Sequence, residues 1–353
     1  MNALIVSGPG RAEIAEVDRP APGPGQVLVR VKYCGICGTD YAIFSGGSSF
    51  VKNGQITYPI RIGHEWSGVV EKAGDGVTAF KPGDPVVGDD FVSCGECPAC
   101  ARGEYNDCEN KFNVGTIHPW DGAFADFVVF PERHLYRVSD GISLELAALC
   151  EPLSIAYGAV RRLNIRQSTT VAVIGTGSIG MCAAALALQQ GAGQVLLVGR
   201  NPLKLDIALR LGVTGAINIR ETDAAEEILR RTGGKGADCV IECSGAETSL
   251  ADAIEYAAVR AKVMMVGFFE QKIGNFDMDK AIFKELTLTG IMGEYGNTEA
   301  VLKIMAQSDL RLEPIITDCV PFSEVTNALA AEAAHRHATV KTIVRMGDQE
   351  AET

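Results

Sequence analysis

Residues 170–180, "TVAVIGTGSIG", decide the fold. The stretch 170–175 is apolar and β-branched and reads as a buried strand. Residues 178–190 are rich in Ala and Leu and stop at Gly191, which reads as a helix with a glycine terminator. Between strand and helix, Gly175, Gly177 and Gly180 spell G-x-G-x-x-G. Alone this spacing is weak evidence and fits a merely structural turn. Between a strand and a helix it has the context of dinucleotide binding. Gly175 allows the tight turn, Gly177 lets a pyrophosphate approach the backbone, and Gly180 lets the helix pack on the strand. The anion then rests on the free N–H groups of the helix N-terminus. Ser178 and Ile179 in the same turn join the candidate cofactor set, as do Ser244 and Gly267 further along.

Working outward, the pattern repeats. "QVLLVG" (194–199), "DCVIECSG" (238–245) and "AKVMMVG" (261–267) read as buried strands. "PLKLDIALRLG" (202–212), with Pro202 near its start, and "ETSLADAIEYAAVR" (247–260) read as helices. Strands alternating with helices of this length predict a doubly wound parallel sheet covered on both faces. Upstream, residues 1 to about 150 are rich in Gly and Pro. Short runs such as "QVLVRVKY" (26–33), "SGVVEKAG" (67–74) and "FADFVVF" (124–130) predict a β-rich domain. The texture changes near 155 and loosens again from about 290.

The bulk numbers bound the rest. A chain of 353 residues accommodates two domains, and 47% apolar with 22% charged residues is globular composition. A formal net charge of −12 argues against a nucleic-acid binder. No run of eighteen apolar residues is present, and "MNALIVSGPG" lacks the features of a signal peptide, so a cytoplasmic location and no membrane partner are expected. In a reducing compartment eleven cysteines point to metal or buried thiols rather than disulfides.

Two groups of residues have metal-ligand chemistry. "CGECPACARGEYNDC" sets Cys94, Cys97, Cys100 and Cys108 at C-x2-C-x2-C-x7-C. Four thiolates on one centre suit a closed, structural tetrahedral zinc. An iron–sulfur cluster has similarly short spacing. The second group is scattered: Cys37 and Thr39 in "CGICGTD", His64 and Glu65 in "GHEWSG", Glu151 in "CEP". A thiolate, an imidazole and carboxylates make a three-ligand zinc site with an open position. On spacing alone a His-Glu pair is more often structural than a ligand.

At "VLLVGRN" (195–201) the second strand ends in Gly199 and Arg200. In NAD-binding folds an acid at this point holds the ribose hydroxyls. A carboxylate there would repel a 2′-phosphate by about 4 kcal/mol at 4 Å and an effective dielectric near 20. Gly199 removes that repulsion. Arg200 offers a bidentate fork and Lys204 a second charge, so NADP(H) is expected over NAD(H). A solvated arginine with NAD retained is the alternative.

These motifs, in this order and over the whole chain, resemble the zinc-dependent medium-chain alcohol dehydrogenase family. Its branch of sorbitol (L-iditol) and threonine dehydrogenases is the most similar in motif. The resemblance implies a GroES-like catalytic domain, residues 1–155 completed by 290–353, and a Rossmann domain at 156–289. It implies catalytic-zinc ligands at Cys37, His64 and Glu65, with Glu151 as a further ligand or the holder of a zinc-bound water. Cys34 and Cys150 are then bland buried thiols. Thr39 would pass the substrate proton outward, but Ala42 stands where many relatives carry the histidine of that relay. The implied reaction is hydride transfer between NADP(H) and a polyol, ketose, cyclitol or related secondary alcohol, in a dimer or tetramer. An NAD-dependent polyol or 3-hydroxy amino acid dehydrogenase, and a non-catalytic cofactor-binding relative, are the other readings. In "GEYGNT" (293–298), Glu294 replaces the arginine that reaches the polyol in sorbitol dehydrogenases, and Tyr295 is kept. Glu294 is expected either to face the distal end of the substrate or to lie on the surface.

Overall fold

The computed structural model describes residues 1–274, 276–335 and 339–347. Residues 336–338 and 348–353 of the expected C-terminal completion lie outside the described residues. The strand Thr170–Ile174 sits centrally in a six-stranded sheet. Gln194–Gly199 and Gly215–Asn218 lie on one side of it, and Ala237–Glu242, Ala257–Met265 and Thr287–Gly290 on the other. Every pairing is parallel. Val171, Ala172, Val173, Val195, Leu196 and Leu197 are fully buried, which is why these strands read as continuous apolar runs rather than alternating ones. The chain moves outward to one side of Thr170–Ile174 and then crosses to the other. A crevice opens where the order reverses, at the carboxyl ends of the strands.

The glycine motif performs as its spacing requires. Gly175 takes φ 111°. Gly177 caps the helix Ser178–Gln189 in extended conformation. A Cβ at Gly180 would sit 2.0 Å from the Gly175 carbonyl oxygen, so helix and strand touch backbone to backbone. In the next unit Asn201 caps Pro202–Arg210, its side chain accepting from the Leu203 and Lys204 amides, with Pro202 at the first helical position.

The helix expected over 247–260 is shorter. It runs Ser249–Tyr256, and 257–260 extend the following strand, Ala257 standing opposite Ala237. Val259 is β-branched, and Arg260 takes φ 64° and donates its N–H to the Lys284 carbonyl at 2.6 Å. The backbone of this segment is satisfied by the sheet and the chain beside it, not by a helical ladder. Gly215–Asn218, Thr287–Gly290 and the helix Ala224–Arg231 are elements that the sequence reading passed over.

The second large sheet runs Leu135–Arg137, Pro85–Gly88, Glu65–Ala73, Gln26–Gly35, Lys341–Arg345, Ile316–Pro321, with Phe127–Pro131 also paired to Gln26–Gly35. Strands from both ends of the chain therefore share one sheet. Trp66, Phe124 and Phe130 fill its core. The helix Cys150–Val160 joins the other large core, where Leu153 and Ala156 meet Met181 and Leu186 of Ser178–Gln189. No helix among the described residues is long and apolar enough to cross a membrane.

The backbone contact at Gly180 sets a test. Gly180→Ala must push the helix off the strand, and overpacking of this kind costs ~1–3 kcal/mol. The variant is expected to melt at lower temperature and to bind nicotinamide cofactor more weakly. Thermal denaturation with and without cofactor checks both.

Candidate active site and metal centres

The sulfur atoms of Cys94, Cys97, Cys100 and Cys108 lie within 4.8 Å of one another. All four are free thiols, and Cys97, Cys100 and Cys108 are buried. Tight turns bring them together: Cys97 caps the short helix Pro98–Ala101, the Cys97 amide donates to Cys94 Sγ at 3.4 Å, and the Cys94 amide to Cys108 Sγ at 3.3 Å. Backbone N–H groups around Cys100 pull the Cys97 thiol down to about 6, whereas burial pushes Cys108 up to about 11. Thiolates this close repel by roughly 3 kcal/mol per pair at an effective dielectric of 20. A divalent cation removes that repulsion, and the donor set fits tetrahedral zinc.

The second group forms at one wall of a cleft. Cys37 caps the helix Gly38–Ser45. Its Sγ accepts from the Thr39 amide at 3.5 Å, and the Asp40 carboxylate returns to the Cys37 amide at 2.9 Å. This capping box holds the sulfur at the positive end of the helix. Asp40 also accepts from the Gly63 amide at 3.1 Å, tying the cap to the turn that carries His64. Cys37, His64 and Glu65 each bring a ligand atom within 4.8 Å of the others.

Glu65 is fully buried, and the gap at Gly35 across the sheet makes room for its side chain. One carboxylate oxygen takes the ammonium of Lys341, itself buried and donating to the Ile36 carbonyl at 3.0 Å. Burial works against the charge on Lys341, but the Glu65 carboxylate outweighs it and raises the pKa. The other carboxylate oxygen, Oε1, has no hydrogen-bond partner, and neither has Nδ1 of His64, which lies 3.6 Å from Asp40. Each such buried group costs about 1–3 kcal/mol. A metal ion between Cys37, His64 and Glu65 suits this donor set and these orphaned atoms. Glu151, at the start of Cys150–Val160, lines the same cavity but stands outside the close group of three. Burial pushes its carboxyl well up.

The cavity holds about 370 Å³. Cys37, Thr39, Ala42, His64, Asp90, Asn113 and Glu151 form one side, and Gly177, Ser178, Ile179, Cys243, Ser244 and Phe268 the other. The turn residues and Ser244 thus share one cavity with Cys37 and His64. Gly267 lies between two lining residues, Val266 and Phe268. A Cβ at Gly177 would meet nothing within 4 Å, which leaves the backbone open to a ligand. Gly199, Arg200 and Lys204 stand outside the cavity lining, with Arg200 exposed at the end of its strand. A Cβ at Gly199 would lie 2.3 Å from Thr176 Cγ2, so this bare position is also a packing requirement.

The expectation that Glu294 faces the substrate meets a different geometry. Its two carboxylate oxygens pair with Arg161 and Arg162, just beyond the end of Cys150–Val160. Burial opposes its ionisation, but the two guanidinium groups prevail and hold its pKa below the usual range. Gly293 lines the cavity and Glu294 does not. Tyr295 is also turned elsewhere: its ring packs edge-on against Tyr105 at 4.7 Å and His134 at 5.6 Å. Sequence reading missed Asp90, Asn113, Lys341 and Glu242. Lys341 had a signal, a lone charge inside the apolar run "TVKTIV". Glu242 accepts from the Ser244 amide at 2.7 Å, Ser244 Oγ at 2.6 Å and the Gly245 amide at 2.9 Å, which shapes the loop carrying Ser244.

Comparison with known proteins agrees with this geometry. Residues 23–140 match the alcohol dehydrogenase GroES-like domain, and residues 178–307 match the zinc-binding dehydrogenase domain. A sorbitol dehydrogenase of Halalkalibacterium halodurans is 32% identical over 337 residues, covering 94% of this chain and 96% of the relative. An L-threonine 3-dehydrogenase of Pyrococcus horikoshii is 34% identical over 322 residues, 90% of each chain. A crystal structure of a putative zinc-binding dehydrogenase from Sinorhizobium meliloti 1021, bound to NADP, superposes with TM-score 0.87 at 29% identity, covering 98% of both chains.

The buried pair sets a second test. Lys341→Met leaves Glu65 charged, buried and unpaired, and is expected to cost ~3–5 kcal/mol. Lys341→Met combined with Glu65→Gln should recover much of that loss. Urea unfolding of the metal-stripped proteins checks the cycle, and additive losses would dissolve the pairing.

Proposed function

The chain belongs to the zinc-dependent medium-chain alcohol dehydrogenase family, and on that premise we propose that it transfers a hydride between NADP(H) and a polyol, ketose, cyclitol or related secondary alcohol. One observation carries this reading: Cys37 and His64, grouped with the buried Glu65, line the same cavity as the helix N-terminus at Gly177. We read 1–155 with 290–353 as the catalytic part and 156–289 as the cofactor part. Support comes from the sheet that the strands 316–321 and 341–345 share with the N-terminal strands. The same reading carries a zinc ion at each cysteine-containing group, a cytoplasmic location and a dimer or tetramer.

Bound at this site, zinc supplies Lewis-acid polarisation of the substrate oxygen and the nicotinamide supplies the hydride acceptor or donor. Cys37, His64 and Glu65 would hold the metal, with Glu151 as a further ligand or the holder of a bound water. Thr39, in the cavity wall, takes the substrate hydroxyl proton. Ala42 offers no imidazole beyond it, so the proton leaves by water. Gly177 admits the pyrophosphate to the helix N-terminus, and the Glu242-shaped loop presents Ser244 to the cofactor.

NADP(H) preference rests on the bare strand end at Gly199 and the exposed guanidinium of Arg200, with Lys204 a turn further on. The NADP named for the Sinorhizobium protein accords with it. The threonine dehydrogenase relatives favour a second reading, oxidation of a 3-hydroxy amino acid. Against it, no Lys or Arg among the described residues lines the cavity to receive a carboxylate.

Steady-state kinetics with a polyol and ketone panel and both cofactors test the proposal. A charge-assisted hydrogen bond is worth ~1.5–3 kcal/mol, and each 1.4 kcal/mol is tenfold. Arg200→Ala is therefore expected to weaken NADP(H) about 10- to 100-fold and leave NAD(H) nearly unchanged. Gly199→Asp alone collides with Thr176, so the shift toward NAD(H) is expected in the paired variant Gly199→Asp, Thr176→Ala. Equal losses for both cofactors in Arg200→Ala would remove the NADP assignment.

A further inference from the structure

Asp90 has no counterpart in the metal site or the cofactor turn, yet its side chain lines the cavity beside His64, Asn113 and Glu151. The loop that carries it is fixed: its carbonyl accepts from the Val114 amide at 2.9 Å, and its carboxylate packs over Gly293, where a Cβ would overlap it. No side chain among the described residues forms an ion pair or hydrogen bond with that carboxylate. Its neighbour Asp89 is fully engaged, with His134 Nδ1 at 2.9 Å, the Tyr136 hydroxyl at 3.0 Å and Thr298 Oγ1 at 2.7 Å. Lys111 is turned away, to the Asn106 carbonyl at 2.9 Å and the Phe91 ring at 4.8 Å.

Resting on the dehydrogenase reading above, we propose that Asp90 is a specificity-determining residue that pairs with a protonated amine on the substrate. The substrate class is then an amino polyol or amino cyclitol. Besides Cys37 and His64, the ionisable lining groups are the carboxylates of Asp90, Glu151 and Glu270 and the thiol of Cys243, with no Lys or Arg among the described residues. An ammonium group supplies a counter-charge to Asp90 and donates to its carboxylate oxygens. A phosphate or carboxylate tail would meet like charge and find no cationic partner. Glu294 cannot take this role, because Arg161 and Arg162 already occupy it.

Binding to the zinc-loaded protein saturated with NADPH tests the proposal without turnover. The probes are sorbitol, its 1-amino-1-deoxy analogue glucamine, and sorbitol 6-phosphate, measured by calorimetry. Glucamine is expected to bind tenfold or more tightly than sorbitol, and sorbitol 6-phosphate more weakly than either. Asp90→Asn, which keeps the shape and removes the charge, is expected to abolish the preference while sorbitol affinity stays within a few-fold. A merely structural role for Asp90 would lower all affinities together. No preference for glucamine over sorbitol, or a preference that survives Asp90→Asn, overturns the inference. Absence of hydride transfer to every alcohol would count against the proposed function and leave these binding ratios as they are.

Discussion

Everything in the cleft depends on one electrostatic constraint. Cys37, His64 and Glu65 are drawn together at the cavity wall, and two of their buried polar atoms have no hydrogen bond within the protein. One ammonium, from Lys341, answers one oxygen of Glu65. A folded chain does not leave such atoms orphaned without reason, because desolvation is charged in full. The arrangement makes sense as half of a coordination sphere. The protein supplies aligned donors, and the ion supplies what they lack.

The same logic organises the helices around the cavity. Gly38–Ser45 begins at Cys37, Cys150–Val160 begins beside Glu151, and Ser178–Gln189 begins at Gly177. All three starting points line one space. Each N-terminus carries partial positive charge and unpaired N–H groups. One stands at the Cys37 sulfur, one at the Glu151 side chain, and the third suits a pyrophosphate. The metal centre and the cofactor turn come from different sheets, so their approach is a property of the packed molecule rather than of either motif.

Much of this was legible in the sequence, for reasons specific to each element. Strands buried on both faces announce themselves as apolar runs, and the glycines at 175, 177 and 180 each had a backbone reason to be there. The cysteine lobe was legible because its four ligands are local. Side-chain destinations were not. Glu294 stayed between two readings because its partners, Arg161 and Arg162, lie more than a hundred residues away and nothing nearby signals them. Asp90 was invisible as a site residue because whether a loop carboxylate faces solvent or a cavity depends on what packs over it. The shortened helix at Tyr256 shows sheet pairing overriding a helical pattern in an Ala-rich segment.

The central claim is that Cys37, His64 and Glu65 form a metal site separate from the four-cysteine lobe and that hydride transfer depends on it. Zinc content and turnover of Cys37→Ser, measured beside the parent protein and Cys97→Ser, test it most directly. The account predicts that Cys37→Ser loses the cleft zinc and its turnover while keeping the lobe zinc, its melting temperature and its NADP(H) affinity. Cys97→Ser should instead lose the lobe zinc together with stability, because metal binding at a closed site is folding energy. A Cys37→Ser protein that retains the zinc content and turnover of the parent would contradict the account.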